Sequence, residues 1–272
     1  MEWVLAHPGP VRLSIVAGVL MLLLAWQHFQ PVRGDASIPG RQWPNVALVL
    51  ISSAVVYLLV PVTTVAFAAT VASTGMGLFN QLAVPMALEL LLGIVVLDLA
   101  IYWQHRLFHM LPWLWRIHRV HHNDIGFEVT LGLRFHPAEI LLSLLYKLAL
   151  VAILGLSPWT VVLYEILLAT FALITHADLS LPPRLESMVR HVLVTPDWHR
   201  VHHSVHRQET DSNYGNILSL WDRLFATHVP QPRDGHVHMT IGLPSFRDSG
   251  EQTFLALLRQ PLLSEPTVST IR

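Results

Sequence analysis

The sequence of 272 residues contains no cysteine, which excludes disulfide bonds, thiolate zinc sites, iron–sulfur clusters and a cysteine nucleophile within this chain. Charged residues are also scarce: they make up 13% of the chain, whereas a soluble domain usually carries about 25%. The formal net charge of −1 gives no indication of nucleic-acid binding. Hydrophobic residues reach 53%, and together these features indicate a chain that lies largely in a membrane.

Five apolar stretches approach the roughly 20 helical residues that a bilayer crossing needs. They are residues 11–29, 46–71, 82–103, 140–156 and 159–175. The second contains Pro61, which a transmembrane helix tolerates if neighbours satisfy the freed carbonyl, and the last two flank the turn signal "GLSP" and predict a helical hairpin. Core helices of a soluble protein are the alternative, but three such runs within the first hundred residues disfavour it. The first run is too long for a signal peptide, and we expect it to be retained.

The distribution of arginine in the short loops predicts the orientation of these spans. Arginines lie between the first two spans and after the third, whereas the loop "STGMGLFNQ" between the second and third has none. The region after the third span is therefore expected on the cytoplasmic face, of a bacterial inner membrane or of the endoplasmic reticulum. The predicted fold is all-α, an integral membrane helical bundle with a cytoplasmic histidine-rich helical cap.

Histidine is the one polar residue in excess, with 17 copies. His105 and His109 are four residues apart at the end of the third span, so they share one helical face and can reach one metal ion. The motif H-x-x-H-H follows at His118, His121 and His122. His122 points about 100° away from His121, so it can serve a second ion.

The pentapeptide "HRVHH" occurs twice, and its second copy supplies His199, His202 and His203. His176 ends the last apolar stretch at the same predicted membrane surface. A basic cap over anionic lipid is the alternative, but lysine or arginine would serve it better because histidine is mostly neutral at pH 7. Imidazole suits zinc, copper, iron and nickel. Eight or nine imidazoles are too many for one tetrahedral zinc and suffice for two ions with higher coordination numbers.

These motifs resemble those of the membrane fatty acid hydroxylase and sterol desaturase superfamily. The resemblance rests on "DLAIYWQHRLFH", "LWRIHRVHH", "RFHPAE", "TPDWHRVHHS" and "DSNYGNILSLWDRLFAT", and it covers residues 90–227, about half of the chain. Around the isolated histidine this chain has "ITHAD" where family members often have Phe-Gln-His-Ser-Asn, which puts the surroundings of that ligand in doubt. The expected division is 1–89, N-terminal transmembrane helices; 90–228, a fatty acid hydroxylase-like catalytic domain that includes the hairpin; and 229–272, a peripheral tail.

The resemblance implies a di-iron centre and therefore a set of metal ligands. The implied ligands are His105, His109, His118, His121, His122, His176, His199, His202 and His203. His136 is either a ligand or near neighbour, or simply a residue at a helix N-terminus, and His191 is expected at the surface or beside the ligands. Asp98 lies inside an apolar span, where an acid is expensive and usually functional, so we expect it to orient a ligand imidazole; helix packing is the alternative.

The implied activity is hydroxylation or desaturation of a lipid C–H bond with O₂ and two electrons. The implied cofactors are two iron ions, with O₂ as co-substrate, and the partners are a lipid substrate, membrane lipids and an external electron donor such as a reductase, a ferredoxin or a small haem protein. Three alternatives remain. A zinc-dependent lipid hydrolase would act without O₂, a histidine-rich metal transporter would place its ligands in mid-membrane, and a catalytically silent scaffold would not need intact motifs.

Overall fold

The computed structural model describes residues 2–35, 40–60, 62–82 and 84–265. In these residues every regular element is helical, apart from two isolated β-bridges, and the predicted all-α class is confirmed. The helices in chain order are α1 Glu2–Ala6, α2 Pro8–Phe29, α3 Gln42–Leu59, α4 Thr64–Ser73, α5 Leu78–Gln81, α6 Met86–Met110, α7 Pro112–His122, α8 Pro137–Leu154, α9 Pro158–His176, α10 Pro183–Val189, α11 Pro196–His202, α12 Arg207–Thr210, α13 Leu220–Leu224, α14 Gly235–His238 and α15 Phe254–Arg259.

Five segments are long and apolar enough to cross a membrane: α2, the segment Gln42–Gln81 that starts with α3, α6, α8 and α9. Their outer surfaces carry large apolar side chains, among them Leu22, Phe29, Tyr57 and Leu58, which are all more than two thirds exposed. Exposure of so many apolar side chains to water is unfavourable, so this surface is suited to contact with lipid. The predicted membrane bundle with a histidine-rich cap is confirmed.

The second predicted span is not one continuous helix in the structure. α3 ends at Leu59 and α4 begins at Thr64, and Thr63 starts the new helix by accepting a hydrogen bond on its hydroxyl from the Ala66 N–H at 3.1 Å. A hydroxyl at this position satisfies one of the free N–H groups of a helix start, so it favours a fresh helix over continuation. Pro61, which the sequence places inside the span, lies outside the described residues.

The predicted hairpin is formed by α8, which runs away from the cap, and α9, which returns to it. Gly155 closes α8 in a left-handed conformation with φ of +70°, which glycine adopts without steric cost, and the Ser157 hydroxyl caps α9. Glu89 of α6 accepts hydrogen bonds from the Ser157 N–H at 3.0 Å and from the Thr160 hydroxyl. This acid therefore fixes the hairpin turn to the third span, on the side of the bundle away from the cap.

The cap consists of α7, α11 and the loops that follow them. Arg41, at the start of α3, forms an ion pair with Asp124 in the loop after α7, and Arg134 lies 3.5 Å from the same carboxylate. Gln27, near the end of α2, donates to Glu128 at 3.3 Å. Because these groups are buried, they bind the cap to the ends of α2 and α3 in one arrangement.

Residues 239–242 of the C-terminal segment pack directly on the cap. The Val205 N–H donates to the Thr240 carbonyl, and the Gly242 N–H donates to the carbonyl of His203, at 2.9 and 3.0 Å. Met239 and Ile241 are buried against Phe127. The second copy of "HRVHH" is therefore covered from outside by the C-terminal segment, while the division into three domains stays a prediction.

Candidate metal centre

Nine buried or half-buried histidines converge at the junction of the membrane bundle and the cap. They form two groups, within each of which the candidate ligand atoms lie within 4.8 Å of one another. We call them centre A and centre B. Centre A contains His105, His109, His118, His122 and His202, and centre B contains His121, His176, His199 and His203. These are the nine histidines that the sequence motifs singled out, and the structure brings all of them together.

The two copies of "HRVHH" contribute to the centres in a crossed manner. The first copy, on α7, gives its first and last histidines to centre A and its middle one, His121, to centre B. The second copy, at α11, gives its first and last histidines to centre B and its middle one, His202, to centre A. Neighbouring residues on a helix point about 100° apart, so adjacent histidines face different centres. α6 completes centre A, and α9 completes centre B.

The inward nitrogens of these rings lie close together. In centre A, the Nε2 atoms are 3.1 Å apart for His105 and His118, 3.2 Å for His118 and His122, and 3.0 Å for His105 and His202. In centre B, His176 Nε2 lies 3.1 Å from that of His121, 3.1 Å from that of His203 and 3.0 Å from that of His199. Two imidazole nitrogens each about 2.1 Å from one metal ion and at right angles lie about 3.0 Å apart, so the spacing suits metal ligation.

Main-chain carbonyls fix the tautomer of four rings. The Nδ1 atoms lie 2.8 Å from the Tyr214 carbonyl for His105, 2.6 Å from Ser212 for His202, 2.6 Å from Ala172 for His176 and 3.2 Å from Arg134 for His121. A carbonyl only accepts, so each Nδ1 carries the proton and each Nε2 turns a lone pair inward. Lone pairs that face one another without protons repel, and a cation between them would remove the repulsion. This is the arrangement of metal-binding histidines.

Two carboxylates contact centre A. Glu139, in the first turn of α8, places Oε1 2.7 Å from His118 Nδ1, and its own Oε2 is buried and has no hydrogen-bond partner in the described part of the chain. Asp211 places Oδ1 3.2 Å from His109 Nδ1. Burial raises the pKa of Asp211, although Arg207 beside it opposes the rise. Carboxylates in this position raise the basicity of the imidazole and orient the ring.

Burial favours the neutral form of five histidines of the cap. Burial is the first cause in each case, and proximity to the other imidazoles adds to it: the pKa of His202 falls to about 3, and the pKa values of His121, His122, His199 and His203 fall well below the ordinary value. The neutral ring is the form that binds a metal. His109 Nε2 is a buried nitrogen without a partner among the described residues. These observations fit two metal ions held by nitrogen donors.

Three predicted site residues lie outside both centres. His136 caps α8, because its Nδ1 accepts from the Ala138 N–H at 3.1 Å, and its Nε2 lies 3.3 Å from the Leu258 carbonyl. This favours the helix-start interpretation. His191 is exposed and contacts the Ser187 carbonyl on its own helix turn, so it is no neighbour of the centres.

Asp98 does not touch an imidazole in the structure, which corrects the expected direct contact. Its Oδ2 accepts from the Leu218 N–H at 3.1 Å and from the Trp221 indole at 2.8 Å. Asp222 holds the same loop from its other end, at the Tyr214 and Gly215 N–H groups, and burial raises the pKa of Asp222 to about 6. Both acids therefore hold the loop whose Tyr214 and Ser212 carbonyls contact His105 and His202, and the hydrogen bonds of Asp98 go to this loop rather than to a ring.

A cavity of about 580 Å³ opens from the histidines into the membrane bundle. Members of both centres line its upper end: His105, His118, His121, His176 and His199. Its walls are largely apolar and come from α2, α3, α6, α8 and α9, with Phe108, Leu133 and Leu168 among the lining residues. The space is thus suited to a hydrocarbon chain that reaches both centres.

Comparison with known proteins agrees with this architecture. A family model described as fatty acid hydroxylase matches residues 90–227, just over half of the chain, and the chain belongs to this family. It is 33% identical to an ornithine lipid hydroxylase of Rhizobium tropici over 65% of this chain and 51% of that protein. It is 32% identical to an alkylglycerol monooxygenase of Danio rerio, over 52% of this chain and 30% of that protein. It is 28% identical to a cholesterol 25-hydroxylase of Rattus norvegicus, over 60% of this chain and 54% of that protein.

The chain therefore spans about half or less of the length of these curated relatives. No solved structure matches it significantly.

Proposed function

We propose that this protein is a membrane-bound di-iron oxygenase that hydroxylates, or desaturates, a C–H bond of a lipid substrate. The observation that carries the proposal is the pair of adjoining nitrogen-only centres at the mouth of an apolar cavity. Family membership and the activities of the three relatives named above, which are lipid hydroxylases or monooxygenases, support the same reaction class.

In the hydroxylation reaction, R–H, O₂, two electrons and two protons give R–OH and water. Centre A and centre B would each hold one iron ion, and iron supplies the O₂ reduction that breaks an unactivated C–H bond. The other roles belong to residues of the chain. The carbonyls of Tyr214, Ser212 and Ala172 hold Nδ1 protons so that the inward nitrogens stay free to bind, and the largely apolar walls would cover the hydrocarbon of the substrate.

The proposal includes an external electron donor, and it is supported by the absence of cysteine and of any recognised flavin or haem motif in these 272 residues. A reductase, a ferredoxin or a small haem protein would serve. The reaction is tested with cells that do or do not express the gene, grown under ¹⁸O₂, followed by lipid mass spectrometry. A lipid that gains one ¹⁸O only in expressing cells supports hydroxylation, and His206→Ala serves as the active control for an inactive His118→Ala variant.

A zinc-dependent lipid hydrolase and a metal transporter are the competing functions. The hydrolase would cleave its lipid with water and would need no O₂, so anaerobic turnover would exclude the oxygenase. Transport would require ligands in mid-membrane, whereas both centres lie at the cap. Metal uptake into sealed vesicles, measured for wild type and His176→Ala, separates the transporter from both enzymes.

The cytoplasmic location of both centres is part of the proposal. The chain lacks cysteine, so single cysteines report topology cleanly. Gln208 is exposed on the cap and Met76 is 57% exposed on the opposite side of the bundle. In intact cells, an impermeant thiol reagent should label Met76→Cys but not Gln208→Cys. The reverse pattern would overturn the orientation.

A further inference from the structure

Three charged side chains of the membrane-spanning helices also line the cavity. Arg12 of α2, Lys147 of α8 and Glu165 of α9 line the cavity together with its apolar walls. Glu165 precedes His176 by eleven residues on the same helix, so it lies roughly 16 Å from the histidine end at 1.5 Å per residue. Charges at such a depth are costly, and as a rule they mark a functional site.

The charges of this triad do not balance. Arg12 Nη1 donates to Glu165 Oε2 at 2.7 Å, and Lys147 Nζ donates to Glu165 Oε1 at 2.6 Å. Both carboxylate oxygens are taken and one positive charge is left over. In the described part of the chain, the only hydrogen bond or ion pair of either cation goes to Glu165, so donors of both remain for another group.

A purely structural role would need only one of these cations. A single cation neutralises Glu165 and ties α9 to one neighbour, while a second cation adds a desolvation cost without a partner. The side chain of Lys147 is 13% exposed and that of Arg12 is 47% exposed, so Lys147 is the inner cation. Lys147 is also the only lysine among the 272 residues.

We propose that Lys147 and Arg12 bind the anionic end, a carboxylate or a phosphate, of an alkyl-chain lipid whose hydrocarbon runs up the cavity to the histidines. The apolar walls would cover the chain, and the spare positive charge would hold its anionic group. The proposal deepens the oxygenase proposal and rests on it for one consequence: oxidation should fall on a carbon remote from the anionic end. Binding itself needs no metal.

The single lysine permits a direct test. Reductive methylation with ¹³C-formaldehyde keeps the positive charge and gives one dimethyl-lysine NMR signal, separate from that of the amino terminus. Chelator-treated protein in neutral-lipid nanodiscs is titrated with palmitate, hexadecyl phosphate or hexadecanol. Palmitate, the phosphate or both should shift the Lys147 signal and bind about tenfold or more tightly than hexadecanol, as expected for a charge-assisted contact. The stronger of the two anions identifies the source of the anionic group.

Equilibrium dialysis with Lys147→Met supplies the second measurement. This variant removes the excess charge and leaves Glu165 paired with Arg12, so the triad becomes neutral. Anion affinity should fall about tenfold while hexadecanol binding stays within about twofold. Ser143→Ala, which removes a neutral cavity-lining hydroxyl bonded to Gln104, should leave the preference for the anion unchanged.

Equal binding of hexadecanol and palmitate by wild type, or an equal loss of both in Lys147→Met, would overturn the proposal and leave a structural triad. Size-exclusion profiles show whether each variant is folded. If Lys147→Met does not fold, the wild-type comparison and Arg12→Gln decide by the same criterion. Anion binding without any ¹⁸O incorporation would refute the oxygenase alone, whereas ¹⁸O incorporation without anion preference would refute this inference alone.

Discussion

Centre A and centre B differ in the groups that hold the outer side of their imidazoles. Centre A has five histidines, and the carboxylates of Glu139 and Asp211 contact two of them. Centre B has four histidines. In the described residues, main-chain carbonyls accept from Nδ1 of His121 and His176, and Nδ1 of His199 and of His203 has no partner. A nearby negative charge stabilises a bound cation, so we expect centre A to hold its metal more tightly than centre B.

The crossed contribution of the two "HRVHH" motifs means that neither centre is built from one segment. α7 and α11 each contribute histidines to both centres, so a shift of either helix disturbs both centres. By contrast, α6 contributes only to centre A, through His105 and His109, and α9 contributes only to centre B, through His176. Substitutions on α6 and α9 therefore separate the centres best.

The largest effect is expected for His176→Ala, because His176 Nε2 faces the Nε2 atoms of three other rings in centre B. Removing a ligand should cost more than the roughly 10–100-fold seen for outer partners. The variant should lose about one iron per chain and its turnover, as His105→Ala should from centre A. Iron per chain and product per chain are measured at matched expression, and full iron with full turnover in His176→Ala would remove it from the ligand set.

Glu139→Gln comes next and tests whether charge distinguishes the centres. The amide can still contact His118 but no longer contributes a negative charge, so we expect a roughly 10–100-fold loss in metal affinity at centre A. Stepwise removal with a chelator should strip centre B first in wild type and should lose that order in Glu139→Gln. If the two irons leave in the same order from both proteins, the carboxylate does not set the difference.

Asp211→Asn should have a smaller effect than Glu139→Gln. The side chain of Asp211 is 31% exposed and is shared with Arg207, so water and the arginine screen its charge. We expect a loss of a few-fold in turnover with iron retained, against the roughly 10–100-fold expected for a well-buried partner. Steady-state turnover and iron content are measured for both variants side by side. A larger loss in Asp211→Asn than in Glu139→Gln would contradict the burial argument.

The smallest effect is expected for Asp98→Asn, whose contacts are to the loop rather than to a ring. Asparagine keeps an oxygen for the Leu218 N–H and the Trp221 indole, so the loop should stay in place at a cost of about 1 kcal/mol of folding stability. Thermal unfolding and iron content check this, with His206→Ala and His236→Ala, whose rings lie outside both centres, as references near wild type. Loss of iron from Asp98→Asn with unchanged stability would restore a direct role at the centre.

The sequence was sufficient to locate the four apolar helices other than the second span and to single out the nine histidines that the structure brings together, since apolar runs and i, i+3, i+4 spacings are local properties. It predicted that His121 and His122 face different ions, because that follows from the turn of one helix. It did not predict which rings share a centre, because that depends on how α6, α7, α9 and α11 pack.

For the same reason, the sequence did not predict that His118 contacts Glu139. In the sequence it is an acid in the first turn of a helix, where it complements the helix dipole, and only packing places it beside His118. Asp98 stood out because an acid in an apolar span is unusual, yet its partners come from residues 218 and 221, more than a hundred positions away. The break between α3 and α4 was missed because the run is uncharged throughout and the Thr63 cap is a weak local signal.

The measurement that tests the account most directly is the metal content of anaerobically purified protein, combined with X-ray absorption at the metal edge. Two centres with nitrogen-rich surroundings predict two irons per chain, each bound mainly by nitrogen, and a loss of one iron in His176→Ala. A single zinc per chain in protein with full activity would contradict the di-iron account.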